Sequence, residues 1–316
     1  MNPKDLQVVF FGTPVLASYC LSTLVDNGYN IVGVVTAPDK PAGRGQLLKE
    51  SEVKKFASSK NLPVFQPTNL KDQEFNQTLE YLKPDVQVVV AFRMLPEVVW
   101  RIPNHGTFNM HASLLPNYRG AAPINWAIIN QEKKTGVSTF FIDNNIDSGE
   151  VIMQKEIIID EKETAGTLHD KVMIEGALLI LKTLNAIAQG DARITKQAEI
   201  DSGCLELKKA PKIFKETCKI DWNQSCFQAE ALVRGLSPAP GAFTLVNSRG
   251  LQKVMKIFEA EARQESHTHQ IGSFVSVDRS DFGFAAADGF LIPKVVQLEG
   301  KKVMTLRELL RGSQLV

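Results

Sequence analysis

The sequence predicts an α/β protein, in which a mostly parallel, doubly wound, Rossmann-like sheet domain is followed by a smaller all-β barrel domain. Three observations lead there. With 316 residues the chain exceeds a comfortable single hydrophobic core. Its first part alternates short apolar β-rich runs with helical patterns, which is how parallel sheets covered on both faces read. Beyond about residue 219 the helical patterns give way to short β-type runs separated by turn residues. The expected division is a domain over 1–189, a linker over 190–208 and a C-terminal domain over 209–316.

Taken in order, LQVVFF opens the sheet and a helix is expected over 17–27. NIVGVVT, a helix over 53–61 and the strand VQVVVAF follow. Further strands are expected at GTFNMHA, GVSTFFID and EVIMQKEIII, and a long helical pattern over 164–189 closes the first domain. The polar stretch after it carries Lys208, Lys209, Lys212, Lys215 and Lys219 and reads as a linker with a basic face. GAFTLVN, KVMKIFEA, GSFVSVD, FGFAAADG and FLIPKVVQ then have the spacing of an all-β unit. No internal repeat or low-complexity tract interrupts this order.

Composition removes some function classes. A formal net charge of +1 excludes a uniformly basic nucleic-acid coat but leaves room for a local patch, and the part from Asp191 onward is mildly basic. The cysteines, Cys20, Cys204, Cys218 and Cys226, form no C-x-x-C pair, so reduced thiols are expected and zinc or another metal is not. MNPKDLQVVFFG goes directly into a strand-like run without the pattern of a signal peptide. No run of consecutive apolar residues approaches the roughly 20 needed to span a bilayer. A cytoplasmic protein is therefore expected. The first strand-to-helix turn, FGTP, has one glycine where a dinucleotide fold would show G-x-G-x-x-G, and no G-x-x-x-x-G-K-[ST] occurs. Gly12 reads as a tight turn.

Ligands of α/β sheets bind beyond the carboxyl ends of the strands, so the residues after the apolar runs carry the chemistry. The most informative segment is NMHASLLPNYRGAAPINWAI, residues 109–128. Asn109 and His111 lie two apart on an expected strand, so they share a face, roughly 6.5 to 7 Å apart along it. Asparagine donates a hydrogen bond without titrating, and histidine changes between donor and acceptor near neutral pH. Asp147 follows the strand-like TFFID and is expected at the same end of the sheet, where a carboxylate would fix the His111 ring. Each of the three also has a plain structural alternative: a core amide, a packed strand histidine, a turn aspartate. His169, His267 and His269 read as surface or loop residues.

N-x-H-x-SLLPxYRG-x-xP, followed some 25 residues later by D-x-G, resembles the folate-dependent formyltransferase family. The resemblance implies that Asn109, His111 and Asp147 are the catalytic trio. It further implies that Phe92, Arg93, Met94 and Leu95, together with Ser113, Leu114, Leu115 and Pro116 and the loop containing Asp143, surround a reduced folate. Many relatives have Tyr-Gly where this chain has Phe92-Arg93. Within the family the match is closest to the branch acting on tRNA, and it runs from FGTP and TAPDKPAGRG to KIDW and the β-type C-terminal region. That branch implies 10-formyltetrahydrofolate as formyl donor and initiator methionyl-tRNA as acceptor. Arg44 matches the arginine of the loop that enters the acceptor arm, and Lys208, Lys209, Lys212 and Lys215 become candidate phosphate contacts. Rival readings are formyl transfer to a sugar nucleotide or a glycinamide ribotide, and a folate- or RNA-binding module without catalysis.

Overall fold

Residues 2–42, 47–200, 206–248, 250–279 and 281–312 are described by a computed structural model of the chain. They form two compact units. Neither is continuous in sequence: the first comprises residues 1–120, 135–157 and 170–209, and the second 121–134, 158–169 and 210–316.

The first unit is built on a seven-stranded sheet. Its spatial order is Val151–Ile158, Lys134–Phe141, Thr107–His111, Val86–Val90, Val8–Gly12, Ile31–Val35, Val64–Phe65. The five strands from Thr107–His111 to Val64–Phe65 are parallel. Every residue of Val8–Gly12 and of Val86–Val90 is buried, so both strands need cover on both faces. On one face Val9, Phe11, Val35 and Val89 pack with Phe75 and Leu79 of the helix Gln73–Tyr81 and with Leu95 and Val99. Completely burying a side chain such as Phe10 or Phe11 contributes about 1.5–3 kcal/mol each.

From Val8–Gly12 the chain first builds outward through Ile31–Val35 to Val64–Phe65, then returns to add Val86–Val90 on the other side. The order therefore reverses between Val8–Gly12 and Val86–Val90, which makes that crevice the place where such sheets accept ligands. Gly12 closes the first of these strands. A Cβ there would lie 2.5 Å from the Ala17 Cβ and 3.2 Å from the Val90 carbonyl oxygen, so only glycine allows the helix Val15–Asp26 to start so close to the sheet.

The strand Lys134–Phe141 runs antiparallel to Thr107–His111, pairing Phe108 with Phe141 and His111 with Ser138. Its end therefore lies at the opposite edge from the carboxyl ends of the parallel strands, contrary to the sequence expectation. The helix Ala165–Gln189 lies on the Met110 face: Gly176 has room only for Met110 against it, and Thr183 Oγ1 is 2.8 Å from Thr139 Oγ1. By length and composition this helix is apolar enough to cross a membrane, although half of its most apolar window is buried inside the fold. Counting consecutive apolar residues missed this, because Lys171, Glu175 and Lys182 interrupt the run.

The second unit contains a six-stranded antiparallel sheet, with Ala242–Ser248, Leu251–Gln264, Gly289–Leu298, Phe282–Ala286 and Phe274–Ser276 in spatial order and Met304–Thr305 beside Gly289–Leu298. Register shifts around Glu259 break the pairing of its longest strand, the kind of bulge that curls a sheet. Val233 and Leu236 close the core with Ile257, Phe284 and Leu298. Three helices here were not apparent from periodicity, Leu306–Gly312, Pro123–Ile129 and Cys226–Gly235. The last starts at a reciprocal Ser225–Gln228 capping box, a signature present in SCFQ.

The one-sided burial of the helix Ala165–Gln189 can be measured. Ile180→Ala, at a fully buried position, should lose about 2–5 kcal/mol in urea denaturation. Leu178→Ala, at a site 45% exposed, should stay within about 0.5 kcal/mol of wild type. Equal losses would contradict the burial pattern.

Candidate active site

Thr107–His111 alternates its side chains across the sheet, so Met110 points to the long helix while Asn109 and His111 point to the other face. His111 is 7% exposed, and Asn109 is half-buried with no hydrogen bond from its carboxamide among the described residues. The His111 ring is fixed by Nε2, which lies 2.8 Å from the Tyr118 carbonyl oxygen. A carbonyl only accepts, so Nε2 carries a proton there and Nδ1 remains for other work.

Asp147 faces that second nitrogen, with Oδ2 3.8 Å from His111 Nδ1. Because its strand ended beside Phe108, residues 142–146 have to carry the chain back across the sheet face to bring the carboxylate to His111. Oδ2 is held at 3.0 Å by the Gly120 N–H. Sequence reasoning gave the orientation of the imidazole to Asp147; in the structure the Tyr118 carbonyl provides it, and Asp147 lies beyond direct hydrogen-bond distance of the ring. Tyr118 and Asp147 both have left-handed backbone, at φ 59° and 51°. Such conformations cost on the order of 1–3 kcal/mol each and persist where the surroundings enforce them.

The segments expected around a folate divide into interior and accessible residues. Leu95 and Leu115 are 4% and 1% exposed and serve the cores, and the Leu115 backbone is itself bonded to Ser138 Oγ and Gln154 Nε2. Ser113 is fully buried, with Oγ donating to the Asn117 carbonyl at 2.6 Å. Ser138 Oγ donates to the Ser113 carbonyl and accepts from the Leu115 N–H, fixing the course of the chain before the buried Pro116. Phe92 and Leu114 are half-buried and Met94 is 63% exposed. Phe92 meets Phe11 edge-on at 5.6 Å. The Arg93 guanidinium turns to the carbonyls of Pro67 and Thr68, and burial lowers its pKa from the ordinary value. Asp143 braces its own loop, accepting from the Asn145 N–H and the Ser148 hydroxyl.

Of the residues expected to meet RNA, Arg44 lies outside the described residues. The strands on either side of it, Lys40–Ala42 and Leu47–Lys49, pair as a hairpin whose base is tied by Lys54 to Asp39 and Glu50. Lys208, Lys209, Lys212 and Lys215 are exposed. The Lys208 backbone is bonded to the Tyr118 N–H at 2.6 Å and to Asn117 Oδ1 at 3.1 Å. The basic run thus starts one hydrogen bond away from the residue that holds His111.

Three contributors went unread in the sequence. Tyr118 and Gly120 act through backbone groups, which every residue type carries. Gln197 lies in the stretch read as linker, yet it is 5% exposed and bonded to the Asp147 and Gly149 carbonyls.

The sequence pattern of the family described as formyl transferase matches residues 6–184, and that of the formyl transferase C-terminal domain matches residues 212–314. The chain belongs to the formyl transferase family. This formyl transferase is 50% identical over 316 residues to a methionyl-tRNA formyltransferase of Bacteroides fragilis, covering all of this chain and 97% of the relative. It is 48% identical over 309 residues to one of Flavobacterium johnsoniae, covering 98% and 96%. Among solved structures it shares its fold with an N-formyltransferase of Helicobacter canadensis, in complex with folinic acid and dTDP-3-aminofucose. That match has a TM-score of 0.67 at 21% identity and covers 91% of this chain and 98% of the other. HypX of Aquifex aeolicus in complex with tetrahydrofolic acid matches at a TM-score of 0.63 and 18% identity, covering 96% of this chain and 47% of that one.

The placement of Asp147 depends on Gly149, where a Cβ would fall 1.7 Å from the Phe141 carbonyl oxygen. Gly149→Ala should therefore displace the loop and release the Gly120 amide, read as faster hydrogen exchange at Gly120. Exchange at the wild-type rate would show that the loop absorbs the methyl group without moving the carboxylate.

Proposed function

We propose that the chain transfers the formyl group of 10-formyltetrahydrofolate to the amino group of methionine esterified to initiator tRNA. The observation that carries this reading is the approach of the Asp147 carboxylate to His111 Nδ1, 3.8 Å apart, on the strand face that also bears Asn109. It occurs in a chain half identical along its whole length to methionyl-tRNA formyltransferases. The lysines that begin beside Tyr118 support a nucleic-acid acceptor over a small amine.

The reaction is acyl transfer. The neutral amine attacks the formyl carbon, an oxyanion forms at the tetrahedral centre, and the folate nitrogen leaves carrying a proton. Asn109 donates to the oxyanion through its amide N–H. His111 gives its Nε2–H to the Tyr118 carbonyl and, protonated at Nδ1 as well, offers a second donor. Each such donor contributes on the order of 10² to 10³ in rate. Asp147, oriented by the Gly120 N–H, accepts the proton that the amine releases, directly or through a water, and that proton is passed on to the departing folate nitrogen, which contributes about 10² to 10⁴. Holding the two substrates together removes roughly 7 to 11 kcal/mol of the barrier. In this reading the accessible Phe92, Met94 and Leu114 line the pterin.

Labelled formyl donor offered with charged initiator tRNA, charged elongator tRNA, an amino-sugar nucleotide or glycinamide ribotide tests the acceptor. Transfer to initiator methionyl-tRNA alone is expected, and transfer to a small amine in its place would overturn the reading. Asn109→Ala, His111→Ala and Asp147→Ala should each lower turnover by at least ~10² while folate binding, followed by calorimetry, changes little. Wild-type turnover in any of them would remove that residue from the chemistry.

The RNA contacts separate by salt and by tRNA identity. Lys208→Ala with Lys209→Ala should weaken all tRNAs alike and flatten the log–log salt dependence by roughly 0.7 to 0.9 per lost contact. Arg44→Lys keeps the charge but loses guanidinium geometry, and should cost activity on the initiator acceptor end. An Arg44→Lys variant matching wild type on both initiator and elongator tRNA would show that this arginine is not a reader.

A further inference from the structure

Two backbone segments hold the His111 ring and the Asp147 carboxylate. One is Tyr118 to Gly120, whose carbonyl holds His111 and whose N–H holds the Asp147 carboxylate. The other is Asp147 to Gly149, where the carboxylate is attached. One side chain touches both. Gln197 Nε2 donates to the Asp147 carbonyl at 3.0 Å and to the Gly149 carbonyl at 2.8 Å. Its Oε1 accepts from Arg119 Nε at 2.9 Å and Arg119 Nη2 at 2.6 Å.

Every hydrogen-bonding position of that amide is used. Arginine only donates and backbone carbonyls only accept, so the partners themselves dictate which end is oxygen and which is nitrogen. The side chain is 5% exposed, so its donors have little access to water as an alternative. Its own segment is pinned on both sides: Thr195 exchanges backbone hydrogen bonds of 2.8 and 2.9 Å with Val151, and Ile200 packs against Leu115, Phe140 and Val151. Gln197 is therefore a fixed point, and the two segments are referenced to it.

We propose that Gln197 is a positioning residue for formyl transfer, setting the distance between His111 and the Asp147 carboxylate by tying the segment that holds the His111 ring to the segment that carries Asp147. The proposal rests on the assignment of Asp147 to the chemistry. The carboxylate is attached to a residue in left-handed backbone, which relaxes when its carbonyl is released. Misplacement of a reacting group by about 1 Å can cost on the order of 10²-fold in rate. An amide is required: a carboxylate at this position would keep Arg119 and lose both donors, facing two carbonyls with an acceptor.

The test uses the full chain with labelled 10-formyltetrahydrofolate and charged initiator tRNA. Gln197→Glu, which retains the Arg119 contact, and Gln197→Ala should both lower kcat about 10- to 100-fold. KM for either substrate should change much less, and Gln197→Glu should melt close to wild type. In an Asp147→Ala background, Gln197→Glu should lower kcat no further, because it acts through Asp147. Wild-type kcat in Gln197→Glu, or effects that multiply fully in the double variant, would overturn the proposal while leaving the role of Asp147 standing. A melting temperature that falls in step with kcat in both Gln197 variants would reduce the residue to a structural one. Wild-type kcat in Asp147→Ala would instead overturn the underlying reading, and the proposal with it.

Discussion

Val8–Gly12 has no exposed face, and most of the first unit follows from that. A strand buried on both sides requires a paired neighbour at each edge and a layer above and below, which the parallel runs at Ile31–Val35 and Val86–Val90 and the packed helices provide. Since its neighbours are added on opposite sides, connections diverge at its carboxyl end and leave a crevice there. Asn109 and His111 on Thr107–His111, two strands away, then need only the correct side of the pleat to face that end of the sheet. Burial thus determines where chemistry is located before any functional residue is chosen.

The antiparallel edge adds what a purely parallel sheet lacks. A strand ending beside Phe108, at the opposite end from His111, makes the following loop turn back, and that loop brings the Asp147 carboxylate within 3.8 Å of the His111 ring. The route makes unusual demands on backbone: Asp147 in left-handed geometry, Gly149 where no Cβ fits, and Tyr118 in the same rare region opposite. Hydrogen bonds from Gly120 and Gln197 offset those demands. Strain and its compensation therefore meet in the same few residues, a common property of sites where geometry matters more than stability.

Much of this was legible in the sequence because burial leaves a periodic trace. Runs such as VVFF and VQVVV announce strands covered on both faces, and the spacing of Asn109 and His111 places them on one face by the pleat alone. The helices Pro123–Ile129 and Leu306–Gly312 are too short for a 3.6-residue period to stand out, and Val64–Phe65 is two residues long. Strand direction leaves no trace in composition, so the reversed course of Lys134–Phe141 went unread, and Asp147 was expected at His111 by a route the chain does not take. Tyr118 and Gly120 contribute only main-chain atoms. Gln197 sits among polar neighbours and gains its importance from a tertiary position that no local pattern encodes.

The discontinuous second unit has a consequence for the order in which the chain matures on the ribosome. Residues 121–134 and 158–169 belong with residues 210–316, yet they are synthesised well before them. Asn125 bonds the Gly235 carbonyl at 2.7 Å, and Ile129 packs into a core completed by Leu306 and Leu309. At about 5–20 residues per second, the helix Pro123–Ile129 waits on the order of ten seconds or more for that core. Over that interval Ile129 lacks the core that it packs against in the finished unit. The core of the second unit is therefore complete only once Leu306 and Leu309 have been made.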